Sequence, residues 1–140
     1  MNRLSFLVLA GLMTTQAVLA QDDNPQLPAT TTIGAATYLS GGIGLDESAA
    51  MKRAAKKYPL ELVFIRKGTA RNEYSSDAQV KITDKHGKTV IEAVSDGPYF
   101  LADLPDGTYR VEASKDGASK VQQMVVKKAV HKRLIFSWAD

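Results

Sequence analysis

A period of two governs the second half of this chain. In residues 78–83, Ala78, Val80 and Ile82 point to one side of an extended segment and polar residues to the other. Gly-Pro, Pro-Asp-Gly and Asp-Gly sequences, which favour tight turns, separate this run from others like it. The other runs cover residues 89–94, 99–104, 108–114 and 119–126. Several short strands at regular spacing predict a β-sandwich.

Two segments near the end of the chain, residues 119–126 and 134–138, lead to further predictions. In residues 119–126 the apolar positions change parity between Val121 and Met124, which predicts a β-bulge near Gln122–Gln123. In residues 134–138 the apolar side chains again alternate, so the chain should close with a strand that has one apolar face.

A helix precedes the sandwich. Met51, Ala54, Ala55 and Tyr58 fall at i, i+3, i+4 and i+7, which places them on one apolar stripe. Pro59 ends the helix. Predicted strands flank it at residues 36–39 and 60–65.

The strand after the helix, LELVFI, is apolar on both faces apart from Glu61, so we expect it to be covered on both sides. Residues 66–77 are polar and predicted to form a loop. The sandwich, residues 77–138, has only about 60 residues and is marginal alone. Residues 33–67 should therefore pack on it as one domain, with a mainly β fold that is α+β overall.

Three glycines stand directly before the helix. We expect Asp46 to be its N-cap, with Leu45 and Ala50 in the arrangement of a hydrophobic staple. A Walker loop would continue with Gly-Lys-Ser/Thr, but Gly44 is followed by Leu45. A dinucleotide-binding fingerprint would have a third glycine where Glu47 stands. We interpret the glycines as a turn and predict no cofactor.

The first twenty residues have the parts of a secretory signal. Arg3 is followed by an apolar run at residues 4–13 that is too short to span a bilayer. We expect cleavage after Ala20 and a flexible leader over residues 21–32. No second apolar stretch could span a membrane, so the sequence predicts a periplasmic or secreted protein without stable membrane insertion after signal removal.

Composition excludes several classes of function. The chain has no cysteine, so it forms no disulfide, carries no thiol nucleophile and binds no metal through sulfur. Its formal net charge is +3, but basic and acidic residues are interspersed. Nucleic-acid binding requires a continuous basic stripe with stacking aromatics, which this sequence lacks. We therefore predict no nucleic-acid partner.

No catalytic or metal-binding motif is present. His86 lies in a turn and His131 precedes a strand; neither has an acidic partner at helical or strand spacing, so both are predicted to face solvent. No HxH, HExxH or GxSxG sequence occurs. We therefore assign no catalytic and no metal-ligating residue.

The sequence GPYFLADLPDGTYRVEASKDG, residues 97–117, resembles the carboxypeptidase regulatory-like domains, through Leu104, Pro105, Gly107 and Tyr109. That resemblance implies a transthyretin-like (prealbumin-like) β-sandwich without catalytic residues. The sequence YLSGGIGLDESAAM is similar to the front half of exported proteobacterial proteins of unknown function that join such a turn and helix to a sandwich.

These observations favour a non-catalytic exported protein that acts through protein–protein or cell-envelope contacts. Its partner would be an unknown protein or an envelope glycan. The alternative is a carbohydrate-binding module, in which Tyr74, Tyr99 and Trp138 are the candidate ligand-contact aromatics, although core burial of Trp138 is also consistent with its pattern. A third hypothesis is an exported hydrolase with dispersed catalytic residues.

Overall fold

A computed structural model describes residues 27–68 and 70–139. The predicted signal, its cleavage site and residues 21–26 of the predicted leader lie outside the described residues. The elements are β1 (Thr31–Ile33), β2 (Ala36–Gly41), α1 (Leu45–Ala55), β3 (Leu60–Lys67), β4 (Asn72–Tyr74), β5 (Gln79–Asp84), β6 (Thr89–Val94), β7 (Tyr99–Asp103), β8 (Gly107–Lys115), β9 (Ala118–Val126) and β10 (Lys132–Ala139).

The strands form two sheets. The first, sheet A, has the order β1-β2-β7-β3-β10, with β4 paired to the end of β3. In it β7 runs antiparallel to both β2 and β3, whereas β10 runs parallel to β3. The strands β2, β3 and β10 therefore all point the same way. The second, sheet B, has the order β6-β5-β8-β9 and is antiparallel throughout.

The main core lies between the two sheets. Alternate residues of each strand point inward, because successive side chains of a strand face opposite sides. The larger buried contributors are Leu60, Leu62, Phe64, Ile82, Ile91, Phe100, Tyr109, Val111, Phe136 and Trp138. The β-sandwich prediction is confirmed, and Phe136 and Trp138 lie on one buried face of β10 as their alternation predicts.

A second, smaller core lies between α1 and the other face of sheet A. Met51 of the helix packs there with Leu39, Val63 and Leu101. Strand β3 is thus covered on both sides, as LELVFI predicts. The helix joins the carboxyl end of β2 to the amino end of β3, so it runs the length of the sheet. This helical layer gives the mainly β fold its α+β character.

Three local expectations are wrong. Residues 66–77 contain a strand, β4, which pairs with the end of β3. Thr31 and Thr32, placed in the leader by the sequence, belong to β1. The register of β9 with β8 is continuous through Gln122–Gln123, so no bulge occurs there. The parity change arises because Val121 is exposed on the outer face of sheet B while Met124 points into the core.

The turns on either side of β8 have the conformations that their sequences favour. The hydroxyl of Tyr109 donates a hydrogen bond to the carbonyl oxygen of Pro105 at 2.6 Å, which ties the turn to the start of β8. Burial, together with the charges of Asp84 and Asp106, raises the pKa of Tyr109. Asp116 has a positive φ, as the two-residue hairpin between β8 and β9 requires.

A four-residue crossover connects the two sheets between β6 and β7. The backbone N–H of Asp96 donates to the hydroxyl of Ser40, and the buried hydroxyl of Ser95 donates to the carbonyl of Gly97. The carbonyl of Pro98 accepts the N–H of Phe64. Pro98 thus leaves the pairing of β7 intact on both sides, because only its carbonyl is required there.

Candidate functional site

An exposed apolar surface lies at the start of α1, and a cleft lies at its end. The helix begins at Leu45, beyond the carboxyl end of β2, and ends at Ala55, close to the amino end of β3. Eleven residues of α-helix extend about 16 Å. The apolar surface and the cleft therefore lie at opposite ends of the domain.

The helix does not begin as its sequence predicts. Gly44, with a φ of 86°, is the N-cap, and no side chain within residues 27–68 and 70–139 caps the helix. Asp46 lies inside the first turn, so the predicted Asp46 cap is wrong. The carboxylate of Glu47 instead accepts the N–H of Gly42 at 2.8 Å. A negative charge thus stands where a phosphate would approach the glycine turn, in keeping with its interpretation as a turn.

The predicted hydrophobic staple is also absent, because Leu45 points into solvent. Its side chain is 91% exposed, and that of Ile43 is 64% exposed. Leu27 and Pro28 are half-buried and line a shallow cavity of about 440 Å³ together with these two residues. We call Leu27, Pro28, Ile43 and Leu45 the apolar tip. Exposed contiguous apolar side chains are typical of interaction sites.

A cleft of about 600 Å³ lies at the opposite end of the helix. It is formed where the loop after α1, the β7–β8 turn and the β9–β10 loop come together. Its apolar lining consists of Ala35, Pro59, Leu104, Pro105, Ala129 and Val130, with the ring of Tyr58. This volume lies in the range of pockets that accept small ligands.

Charged side chains surround the apolar lining. Lys56, Lys57 and Lys128 supply three ammonium groups, and Asp103 and Asp106 supply two carboxylates. The carboxylate of Asp106 already accepts the backbone N–H of Lys128 at 2.7 Å. We call this site the basic cleft. Its positive groups come from segments that are distant in sequence and that only the fold brings together.

The phenol of Tyr58 borders the cleft. Burial and the nearby charge of Asp103 raise the pKa of Tyr58. Its hydroxyl therefore stays protonated at neutral pH and can act as a hydrogen-bond donor there.

His131 forms part of the wall of the cleft, and it is exposed as predicted. The expectation that it has no acidic partner is wrong. Its Nε2 lies 2.8 Å from Oε2 of Glu61, and its Nδ1 lies 2.8 Å from the carbonyl oxygen of Tyr58. Arg133 Nε lies 3.8 Å from the other carboxylate oxygen of Glu61. His86 is also exposed in its turn, as predicted.

The hydrogen bonds of His131 limit what it can do. Each of its ring nitrogens already lies 2.8 Å from a protein oxygen, one of Glu61 and one of the Tyr58 backbone. A general base requires a free ring nitrogen within reach of the group that it deprotonates. In this arrangement both nitrogens are engaged, and His131 clamps the start of β10 to Glu61 of β3.

The three candidate ligand-contact aromatics lie in different environments. Tyr99 is 2% exposed and Trp138 is 6% exposed, so neither ring offers a free face to a sugar. The indole N–H of Trp138 donates to the carbonyl of Ala118 at 2.9 Å. Tyr74 is 57% exposed, with Lys52 Nζ 6.0 Å from its ring centre. The fold brings Tyr74 and Tyr99 together, with ring centres 5.5 Å apart, and leaves Trp138 elsewhere.

The hydroxyl of Tyr99 is buried and makes no hydrogen bond of good geometry within residues 27–68 and 70–139, although Tyr74 and Ser48 lie close enough to influence its pKa. Burial first, and then the neighbouring phenol of Tyr74, raise the pKa of Tyr99 to about 12. Because an unfolded tyrosine ionises near pH 10, the neutral buried phenol contributes stability that is present below pH 10 and is lost as the pH rises to about 12.

We therefore expect the free energy of unfolding of Tyr99→Phe at pH 7 to equal that of the parent protein or to exceed it by about 1 kcal/mol, because the substitution removes an unsatisfied buried hydroxyl. The variant should also retain more of its stability near pH 11 than the parent does. Urea unfolding at both pH values measures this. A clear loss of stability at pH 7 would mean that the hydroxyl has a partner.

Neither a metal-binding cluster nor a membrane-spanning helix occurs in the part of the chain that the structure describes. No group of three or more histidine, aspartate or glutamate side chains is placed to hold a metal ion. Nor does any helix there have the length and apolar character needed to cross a membrane.

Comparisons with known proteins do not assign a family. No protein-family model matches the chain, and no curated protein matches it. Among solved structures, part of the chain is similar to "The Bacillus anthracis TIE protein", with a TM-score of 0.40 and 17% sequence identity. The match covers 58% of this chain and 16% of that one. The resemblance to carboxypeptidase regulatory-like domains stays a prediction.

Proposed function

We propose that this chain is a non-catalytic, exported β-sandwich protein that acts through protein–protein or cell-envelope contacts. The apolar tip is the observation that carries the proposal. Leu45 and Ile43 are aliphatic side chains exposed on a short turn, and burying a leucine against a partner contributes about 2 kcal/mol. Asp46 and Glu47 beside the tip disfavour an anionic lipid surface and favour a protein partner.

The composition of the cleft supports a binding role over a catalytic one. Both ring nitrogens of its histidine lie 2.8 Å from protein oxygens, one of Glu61 and one of a backbone carbonyl, so neither is free to serve as a general base. A tyrosine hydroxyl is protonated at neutral pH and is a poor nucleophile there, and burial and Asp103 raise the pKa of Tyr58 further. The signal-like residues 1–20 support export to the periplasm or beyond.

Photo-crosslinking in intact cells tests the proposal. A photoreactive residue at position 45 should capture a protein partner, because Leu45 would lie inside the contact. A photoreactive residue at position 94 is the matched control, since Val94 is 53% exposed on the outer face of sheet B. The proposal predicts a discrete crosslinked product from position 45 and none from position 94.

A different pair of results would overturn it. If position 45 captured nothing while the purified protein hydrolysed peptides, esters or glycans, the chain would be an enzyme. That activity would have to disappear on substituting one residue of the basic cleft, such as Tyr58→Phe, to exclude a contaminant.

The alternative of a carbohydrate-binding module rests on Tyr74 alone. The outward-facing side chains of sheet B include no aromatic ring, so that face offers no stacking platform for a sugar. They are Gln79, Lys81, Thr83, Glu92, Val94, Thr108, Arg110, Glu112, Ser114, Ser119, Val121, Gln123 and Val125. Loss of glycan binding on Tyr74→Ala would favour this alternative.

A further inference from the structure

We infer that the partner of the apolar tip is a second copy of this chain, whose basic cleft receives it in a head-to-tail contact. The inference rests on the proposed function and names its partner. The apolar tip projects from the surface and the basic cleft is concave. Both are lined by apolar side chains, the charged groups around them have opposite sign, and they lie at opposite ends of α1.

The apolar tip has the form of an inserting element. Ile43 and Leu45 stand on either side of Gly44, on a turn whose backbone is fixed by the bond from Gly42 to Glu47. A fixed turn loses little conformational freedom on binding, so more of the burial energy is available for association. The tip thus resembles an aliphatic anchor that requires a pocket.

The basic cleft has the form of a receiving pocket. At about 600 Å³ it has room for two aliphatic side chains, and Tyr58, Pro59, Leu104 and Val130 give it an apolar floor. Val130 is 45% exposed there, so contact with a partner would remove further apolar surface from water.

The charges at the two ends have opposite sign. Asp46 and Glu47 line the tip cavity, and among the described residues no basic side chain lines it. The cleft has three lysines against two aspartates, one of which is engaged by a backbone N–H. Opposite charges around an apolar contact speed association and fix its orientation, and their effect falls as salt rises.

The positions of the two surfaces determine the kind of assembly. Because they lie at opposite ends of an 11-residue helix, each copy can give its tip to one neighbour and receive the tip of another. Such a contact is heterologous, and it builds rings or open chains of copies. A two-fold symmetric dimer through one shared surface would not use both ends.

Sedimentation velocity of the purified protein over a concentration series measures this. We expect weak self-association, with a Kd of about 0.01–1 mM, because a contact of this size is small. Raising the ionic strength should weaken it. The variants are Leu45→Ser at the tip and Val130→Asp in the cleft, both at exposed positions, and each should weaken association at least about tenfold. Val94→Ser is the matched control and should leave association unchanged.

Mixing the two variants gives the sharpest result. Leu45→Ser keeps an intact cleft and Val130→Asp keeps an intact tip, so the mixture should form a complex of one copy of each and nothing larger. A symmetric dimer through the tip alone would instead leave Val130→Asp associating with itself, and that result would overturn the inference.

The head-to-tail contact between copies and the proposed role in protein contacts can be tested separately. A parent protein that stays monomeric at about 1 mM overturns the inference. If position 45 then captures a different protein in cells, the proposed function stands and the partner is another chain. If position 45 captures a product of twice the chain's mass that contains only this chain, both are supported.

Discussion

Gly97→Ala is expected to destabilise the fold by about 3 kcal/mol or more. A Cβ at position 97 would overlap the carbonyl carbon and oxygen of Gly41, and both partners are backbone atoms that no rotamer change can move. The crossover that contains Gly97 is already tied to Ser40 at the end of β2 by the N–H of Asp96. Relief of the overlap would therefore separate the crossover from β2. Urea unfolding followed by Trp138 fluorescence measures the loss.

Gly87→Ala is the matched control. Gly87 has a φ of 79° but open space around it, so alanine there adds backbone strain without overlap and should cost about 1 kcal/mol. Equal losses for the two variants would contradict the close approach of the crossover to β2.

His131→Ala is expected to cost about 2–3 kcal/mol. It removes the closest partner of the buried carboxylate of Glu61 and leaves Arg133, at 3.8 Å, as the remaining charge beside it. Because a buried charge without its partner is costly, the loss should exceed that from the contact alone. Thermal or urea unfolding at neutral pH measures it.

A double variant separates the two contributions. In Glu61→Leu/His131→Leu no carboxylate remains buried, so the double variant should be more stable than His131→Ala. His86→Ala, at an exposed turn position, should change stability by less than about 0.5 kcal/mol. A His131→Ala protein as stable as the His86→Ala protein would show that the clamp on Glu61 contributes nothing.

The sandwich could be predicted because its signal is local. Alternation in β5 and β8 reflects burial against the other sheet, and each turn carries its own glycine, proline or aspartate. The bulge prediction failed in β9, where Val121 is apolar yet exposed. Periodicity assumes that apolar residues are buried, so a strand that exposes valines misleads it.

The candidate site could be predicted only in part. Glu61 and His131 are 70 positions apart in sequence, and the parallel pairing of β10 with β3 brings them together. A signal was present, since Glu61 is the only charged residue in LELVFI and a buried carboxylate requires a partner. Sequence could not say which residue that partner is.

The prediction of the helix start failed for another reason. Asp46 is a good N-cap by type, but Gly44, with a positive φ, is the N-cap, so the helix begins two residues earlier, and the carboxylate of Glu47 accepts the N–H of Gly42 in the turn. Several caps compete within one turn, and the backbone angle that decides among them is not readable from residue type. The apolar tip follows from that choice, because an Asp46 cap would have placed Leu45 against Ala50.

Methyl NMR of the purified protein, mixed with the envelope fraction of its own cells, tests the central claim most directly. If the apolar tip contacts a partner, the resonances of Ile43 and Leu45 will shift or broaden while those of Val94 stay unchanged. Tip resonances that never respond, together with changes confined to the methyl groups of Leu104 and Val130 in the basic cleft on adding a small substrate that is then consumed, would contradict that claim.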